Sequence, residues 1–355
     1  MLRIIVIVLL SAAYTWQPLR AADPAEDEGF DPGSFIFDHI ADAYDWHLFD
    51  IEGEHYSVPL PVILYSRDRG LNIFLSDKFE HGHAAYRGFK IETEGPNEGK
   101  IVVVRDDGTT DPNAPLPIDL SMTKNVCAMI FASFLMLAIF LTIGHSYSEN
   151  PLKPPKGIQS LFEPLVVFVI HDIVKPAVGD KHYERFLPYL LTLFFFIWIN
   201  NMLGLIPIFP MGANVTGNIS VTAGLALTSF LAVNLSGNRQ YWQHIFNTPG
   251  VPTFLKLPIP LMPIIELVGL ITKPFVLMVR LFANITAGHI ITMGFFSLIF
   301  IFAQVSPAFG YGATALSVAF GIFITFLELL VALIQAYVFT LLTSLFIGAA
   351  VDEGH

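Results

Sequence analysis

Charge and cysteine are both scarce in this chain. Only 14% of its 355 residues are Asp, Glu, Lys or Arg and 54% are hydrophobic, with a mean hydropathy of +0.60. A soluble globular domain carries about a quarter charged residues, so that class is excluded and a membrane protein is expected. The single cysteine, Cys127, rules out an internal disulfide and leaves no thiolate cluster for a metal. It reads as a packed residue in an apolar run. Basic residues number 19 against 30 acidic ones. Without a basic patch to neutralise phosphates, nucleic acid is not expected as a partner. The GxxxxGK[ST] phosphate loop and the HExxH and GxSxG motifs are missing too, which removes the usual signals for nucleotide binding and hydrolysis. No cofactor or metal is expected.

The acidic residues that are present are concentrated. Residues 23–119 hold 21 of the 30 acids and 7 of the 19 bases. Ahead of them, Met1–Ala22 has Arg3, a short apolar run Ile4–Ala13 and small residues at Ala21–Ala22, the layout of a secretory signal peptide. Residues 23–120 then read as a small, mostly β domain. Strand-like runs occur at Val58–Tyr65, Leu71–Leu75, Phe89–Ile91 and Ile101–Val104, after a helical stretch at Phe35–Leu48. Its histidines His39, His47, His55, His81 and His83 do not share a helical face, and solvated side chains are their reading.

Beyond residue 120 the chain becomes a membrane domain, 121–350, with a short tail, 351–355. Val126–Gly144, Leu187–Ile208 and Ile219–Leu235 are each long and apolar enough to span, and two longer apolar blocks follow, Pro258–Ala303 and Gly312–Ala350. As one helix the last block would measure about 57 Å, nearly twice the bilayer core of about 30 Å. Hydropathy leaves open whether each long block is two short spans or one inclined helix. Phe162–Ile173 is too short to cross and reads as an amphipathic interfacial helix.

Lys153, Lys156, Lys175, Lys181 and Arg185 lie between the first two spans, and Arg239 and Lys256 follow the third, so these loops are expected in the cytoplasm. The turns Phe209–Asn218 and Gln304–Tyr311 have no Lys or Arg. Alternation then puts the acidic domain in the periplasm and the C-terminal tail in the cytoplasm.

Between Phe186 and Ala350 only six formally charged side chains remain: Arg239, Lys256, Glu266, Lys273, Arg280 and Glu328. Placing a charge at the centre of a membrane helix costs about 2.5–3.5 kcal/mol even on a lenient scale, so Glu266, Arg280 and Glu328 should face protein or water. On a helix, Glu266 and Arg280 return to within about 40° of one face, Asn284 follows one turn later, and His289 lies about half a revolution away and about 13.5 Å along. Glu328 and Gln335 also share a face. A guanidinium keeps its charge and cannot relay protons, whereas an imidazole and a carboxyl can. The set suits a barrier between two polar pathways, or a helix-tying ion pair between Arg280 and Glu266 or Glu328.

These residues carry a resemblance. RLFANITAGH at Arg280–His289, PIIELVGLITKP upstream, FLELLVALIQAYVFTLL downstream and NNMLGLIP at Asn200–Pro207 are similar to subunit a of the F-type ATP synthase, over roughly Ser121–Ala350. Residues 23–120 fall outside the common family pattern. The resemblance implies an all-α polytopic membrane protein of about five membrane helices, the last two long and inclined, in a bacterial inner membrane. Its implied partners are the ring of c subunits, the b subunits, the remaining synthase and the lipid bilayer.

By the same resemblance, Arg280 matches the arginine facing the rotor carboxylate, with Asn284 and Gln335 as polar neighbours. Glu266 matches an acid of the cytoplasmic pathway, and His289 and Glu328 the pair lining the periplasmic half-channel. Many members carry the acid and the histidine the other way round, so the two are exchanged between helices here. The rival readings from residues alone are a proton-coupled secondary transporter, which would also bury Arg, Glu and His, and an intramembrane hydrolase; neither internal repeats nor a hydrolase motif supports them.

Overall fold

The computed structural model describes residues 31–51, 54–67, 69–93, 95–105, 109–111, 114–149, 154–246 and 261–352. The expected signal peptide lies outside them, and the tail is described only to Asp352.

The N-terminal domain opens with helix α1, Pro32–Ile40, followed by strands β1, Asp45–Ile51, and β2, Glu54–Pro59. The sequence places a helix as far as Leu48, but it ends at Ile40, because DWHLFDI is taken up by antiparallel pairing from Asp45↔Pro59 to Ile51↔Glu54. Likewise the run Val58–Tyr65 is divided between β2 and β3, Pro61–Ser66: Pro59 and Pro61, neither able to donate to a ladder, flank the break at Leu60. Strand β4, Gly70–Leu75, completes a hairpin with β3, and Gly70 at φ +65° takes the left-handed position its turn requires. A 3₁₀ helix, Ser76–Gly82, leads to β5, Phe89–Ile91, which pairs with β6, Ile101–Val103, and β7, Ile118–Asp119, adds to the free edge of β3. Inward alternation along β3 buries Val62 and Leu64 against Phe79, Phe89 and Ile101. The outward side of β4 carries exposed Leu71, Ile73 and Leu75.

Five helices are long and apolar enough to cross a membrane: α2 (Lys124–Glu149), α5 (Tyr183–Gly204), α6 (Ile219–Ser236), α8 (Leu261–Val305) and α9 (Pro307–Val351). Between α2 and α5 lie α3 (Ile158–Phe168), a π-helical turn (Val169–Val174) and α4 (Lys175–Val178); α7 (Arg239–Phe246) follows α6. The two long apolar blocks are thus single helices of 45 residues each. The turn expected at Gln304–Tyr311 shrinks to Ser306, because Pro307, with its fixed φ and missing N–H, starts α9 immediately. At this corner a Cβ on Gly310 would lie 3.0 Å from Ala303, so the glycine sets how closely the two long helices meet.

A helix is present over the stretch Phe162–Ile173, more deeply buried than its sequence suggests. Val169, Ile173 and Val174 are fully buried, while Ile158, Leu161 and Val167 are exposed, so the segment is apolar on two faces. Its inner face joins a core that includes Phe162, Leu190, Phe194, Phe195, Phe339 and Ile347. Where lipid replaces water, such helices are held by close packing. Phe140, Phe162, Phe195 and Trp198 supply it through ring contacts of 4.8–6.1 Å, worth about 0.5–1.5 kcal/mol per pair beyond area burial.

Contacts sort the helix ends into two groups. Trp46 of β1 is buried with Ala128 at the start of α2 and with Ala213 and Val215 between α5 and α6, its ring edge-on to Phe209. Phe35 of α1 meets Phe300 near the end of α8. At the opposite end the Asn238 amide donates to the Ala350 carbonyl and its side chain to that of Asp352. The N-terminal domain and the end of α9 therefore lie at opposite ends of the helical bundle. Asp42 fastens the domain to α2, accepting from the backbone N–H of Asn125 at 3.0 Å and the Thr123 hydroxyl at 2.8 Å. Tyr44 donates to Asp119, and burial together with that carboxylate raises the phenol pKa.

Gly348 yields a direct prediction. A Cβ there would lie 1.9 Å from the Ala177 carbonyl oxygen, so α4 and α9 touch backbone to backbone. Gly348→Ala should destabilise the solubilised protein by about 1–3 kcal/mol, read as a lowered midpoint of thermal unfolding. A midpoint equal to that of the parent would show that the two helices separate at no cost.

Candidate functional site

All six candidate residues lie on the α8–α9 hairpin. Their relation follows from its register. Ala303 against Gly310, Phe296 against Gly321, Phe295 stacked on Phe320 at 5.1 Å and Gly288 against Glu328 define one antiparallel alignment. Continued along the hairpin, it carries Arg280 level with Ala336, beside Gln335, and brings Lys273 to Phe346, whose ring it covers at 5.2 Å. The hairpin thus has two polar levels. One holds Arg280, Asn284 and Gln335; the other, about 13.5 Å along α8, holds His289 and Glu328.

At the first level Arg280 and Asn284 are exposed, whereas Gln335 is buried at 6% exposure. Arg280 makes no hydrogen bond or ion pair among the described residues. The ion pair that would tie it to Glu266 or Glu328 is therefore not formed. Around it Phe275, Val276 and Val279 are exposed too, so a cation sits on an apolar surface. At the second level His289 and Glu328 are half-buried. Glu328 folds over Gly288, where a Cβ would lie 2.4 Å from its Oε1, so a residue without a side chain makes the room for the carboxyl group. The structure thereby brings Glu328 to the turn that carries His289. Glu328 Oε1 has no hydrogen-bond partner among the described residues.

Glu266 is separate from both levels, 14 residues before Arg280 and about 21 Å along the helix. Its Oε1 is 4.0 Å from Nδ1 of His244 on α7, and its side chain is 29% exposed. Tyr241 stands in the same region and donates to Asn234 Oδ1 at 3.2 Å; burial first, then the charge of Glu266, raises its pKa. Lys273, Tyr241 and Asn234 line a small cavity between α6, α7, α8 and α9.

Sequence reasoning passed over several buried polar residues. Asn201, Thr216, Thr222, Ser229, Thr340 and Thr343 are each 4% exposed or less. The signal was available in NNMLGLIP, where two adjacent amides interrupt an apolar span. Asn201 accepts from the Thr216 hydroxyl and donates to the Ala332 carbonyl at 3.4 Å, joining α5, the loop after it and α9 one turn from Gln335. Asn201→Ala should leave that hydroxyl without an acceptor and cost about 1–3 kcal/mol, measured as thermal unfolding of the solubilised chain. Unchanged stability would mean that the amide is not a cross-link.

Comparison with known proteins fits this arrangement. The ATP synthase A chain family matches residues 126–348, and a family described as Domain of unknown function (DUF8433) matches residues 35–120. ATP synthase subunit a of Chloroherpeton thalassium is 44% identical over 67% of this chain and 70% of its own length. ATP synthase subunit a 2 of Chlorobaculum tepidum is 46% identical over 65% and 64%, and ATP synthase subunit a of Anaeromyxobacter dehalogenans 41% over 67% and 61%. With its membrane helices, its polar hairpin and this extent of identity, the chain belongs to the ATP synthase subunit a family.

Proposed function

We propose that this chain is the stator channel of an F-type ATP synthase in a bacterial inner membrane, passing protons to and from a rotating ring of c subunits through two offset half-channels. The observation that carries the reading is the exposed Arg280 on the apolar face of α8. A cation there costs at least about 2.5–3.5 kcal/mol against lipid. A partner that brings carboxylates to that face removes the cost, and a ring of c subunits supplies one after another.

The N-terminal domain faces the periplasm and the C-terminus the cytoplasm. Each 45-residue helix measures about 67 Å against a core of about 30 Å, so α8 and α9 run obliquely along the ring, and α3 with the π turn lies at the cytoplasmic interface. A proton arriving from the periplasm passes the level of His289 and Glu328 and neutralises a rotor carboxylate. The neutral site can then turn through lipid. After nearly a full revolution it meets the cytoplasmic path near Glu266 and releases its proton, and the anion is drawn to Arg280. Because the guanidinium does not give up its proton, it closes the direct route between the levels. Asn284 and Gln335 offer hydrogen bonds beside it. Each proton moving down 100 mV supplies about 2.3 kcal/mol for rotation. Nucleotide chemistry belongs to other subunits of the complex, and this chain carries no catalytic role.

Arg280→Ala should abolish ATP-driven proton pumping in membranes where the complex still assembles; normal pumping would refute the barrier. Exchanging the pair, His289→Glu with Glu328→His, should retain more pumping than either single substitution. Three equal losses would show that the two residues do not share a path.

A further inference from the structure

The N-terminal domain does not stand clear of the helices. Where it meets α2 and α6 there is an open cavity of about 330 Å³, room for several waters. Asp42, Asp119, Ser121 and Thr123 form its domain side, and Asn125, Asn218 and Ser220 form its helix side. Asn125 is 3% exposed, and its Oδ1 has no hydrogen-bond partner among the described residues. A buried amide oxygen in that state is costly unless water bonds to it.

The polar lining continues inward. Asn218 is followed back along the chain by Gly217, whose carbonyl accepts from the Thr286 hydroxyl of α8 at 3.4 Å. Asn214 is 5% exposed and pressed against Gly217, and neither polar atom of its amide is hydrogen-bonded among the described residues. Thr286 and His289 are three apart, neighbours on one helical face, and Glu328 lies over Gly288 beside them. Unpartnered buried polar atoms on Asn125, Asn214 and Glu328, with the polar groups of Asn218 and Thr286 between them, thus mark a route from the cavity towards the second polar level.

From this we infer that the N-terminal domain builds the outer vestibule of the periplasmic proton path, a water-filled funnel with an acidic rim of Asp42 and Asp119 leading past Asn218 and Thr286 to His289 and Glu328. This rests on the channel reading above. The rim concentrates cations at the mouth, since a cleft lined by one sign of charge focuses the field. Lys124, which faces Asp42 and Asp45, offsets part of that charge and leaves the mouth negative.

The test blocks the funnel after assembly. In the full chain with Cys127→Ser, Ser220→Cys is introduced, and intact cells whose outer membrane has been made permeable are treated with trimethylammonium-ethyl methanethiosulfonate, which does not cross the inner membrane. The label should attach, seen as a mass shift, and remove most of the proton flux through the assembled complex relative to the unlabelled variant, with recovery on reduction. Leu71→Cys, on the outward side of β4, should take the label without loss of flux. Complete labelling of Ser220→Cys with flux intact, failure of the site to label, or an equal loss at Leu71→Cys would each overturn the vestibule. Arg280→Ala in the same membranes separates the two claims: if it still pumps, the channel reading fails, whereas a dead Arg280→Ala with an unaffected, fully labelled Ser220→Cys removes the vestibule alone.

Discussion

One guanidinium on an apolar helix face organises this molecule. A charged group facing hydrocarbon raises the free energy of the isolated chain by several kcal/mol, and nothing in its own described structure neutralises it. Folding alone therefore leaves the chain incomplete. The two long helices give that charge a fixed position: α8 presents it, while α9, whose second half packs against α5, α6 and the buried π turn, keeps α8 from rolling it inward. Leu277 and Leu281, buried within one turn of Arg280 on an adjoining face of α8, hold the rotation in place.

The hairpin register adds a second constraint. Because α8 and α9 are continuous and antiparallel, displacing one residue shifts the alignment of all the others. Small residues make this alignment close-fitting: Gly310 at the corner, Gly321 beneath Phe296 and Gly288 beneath Glu328. The polar levels are separated by helix geometry, not by loops, so the spacing of about 13.5 Å between them is built into backbone hydrogen bonds.

Much of this was legible in the sequence. Three spans and two longer apolar blocks emerged from apolar length alone, and their bounds shifted by only a few residues, since membrane helices are fixed by a simple solvent rule; that each block is one helix was not legible from hydropathy. The charges of the hairpin stood out because each is costly. The N-terminal domain was harder: the helix through Leu48 failed at Asp45 because strand pairing outweighed local helical periodicity, and its docking on α2 through Asp42 has no signature in a linear reading. The π turn at Val169–Val174 was likewise hidden, since an apolar helix on a membrane surface and one sunk into a core share the same composition. The amides Asn201 and Asn214 went unread because an uncharged polar residue in an apolar run is an ambiguous signal until its neighbours in space are known.

Trp46 ties the N-terminal domain to the rest more firmly than a linker would. Its indole is wedged among Ala128, Ala213 and Val215 and meets Phe209 edge-on, and the backbone joins α2 within a few residues of the last strand. The domain is consequently docked on the helices through a packed apolar contact. A fluorophore on the outer strand of the sheet would therefore sit on a domain docked against the helices, not on a free linker.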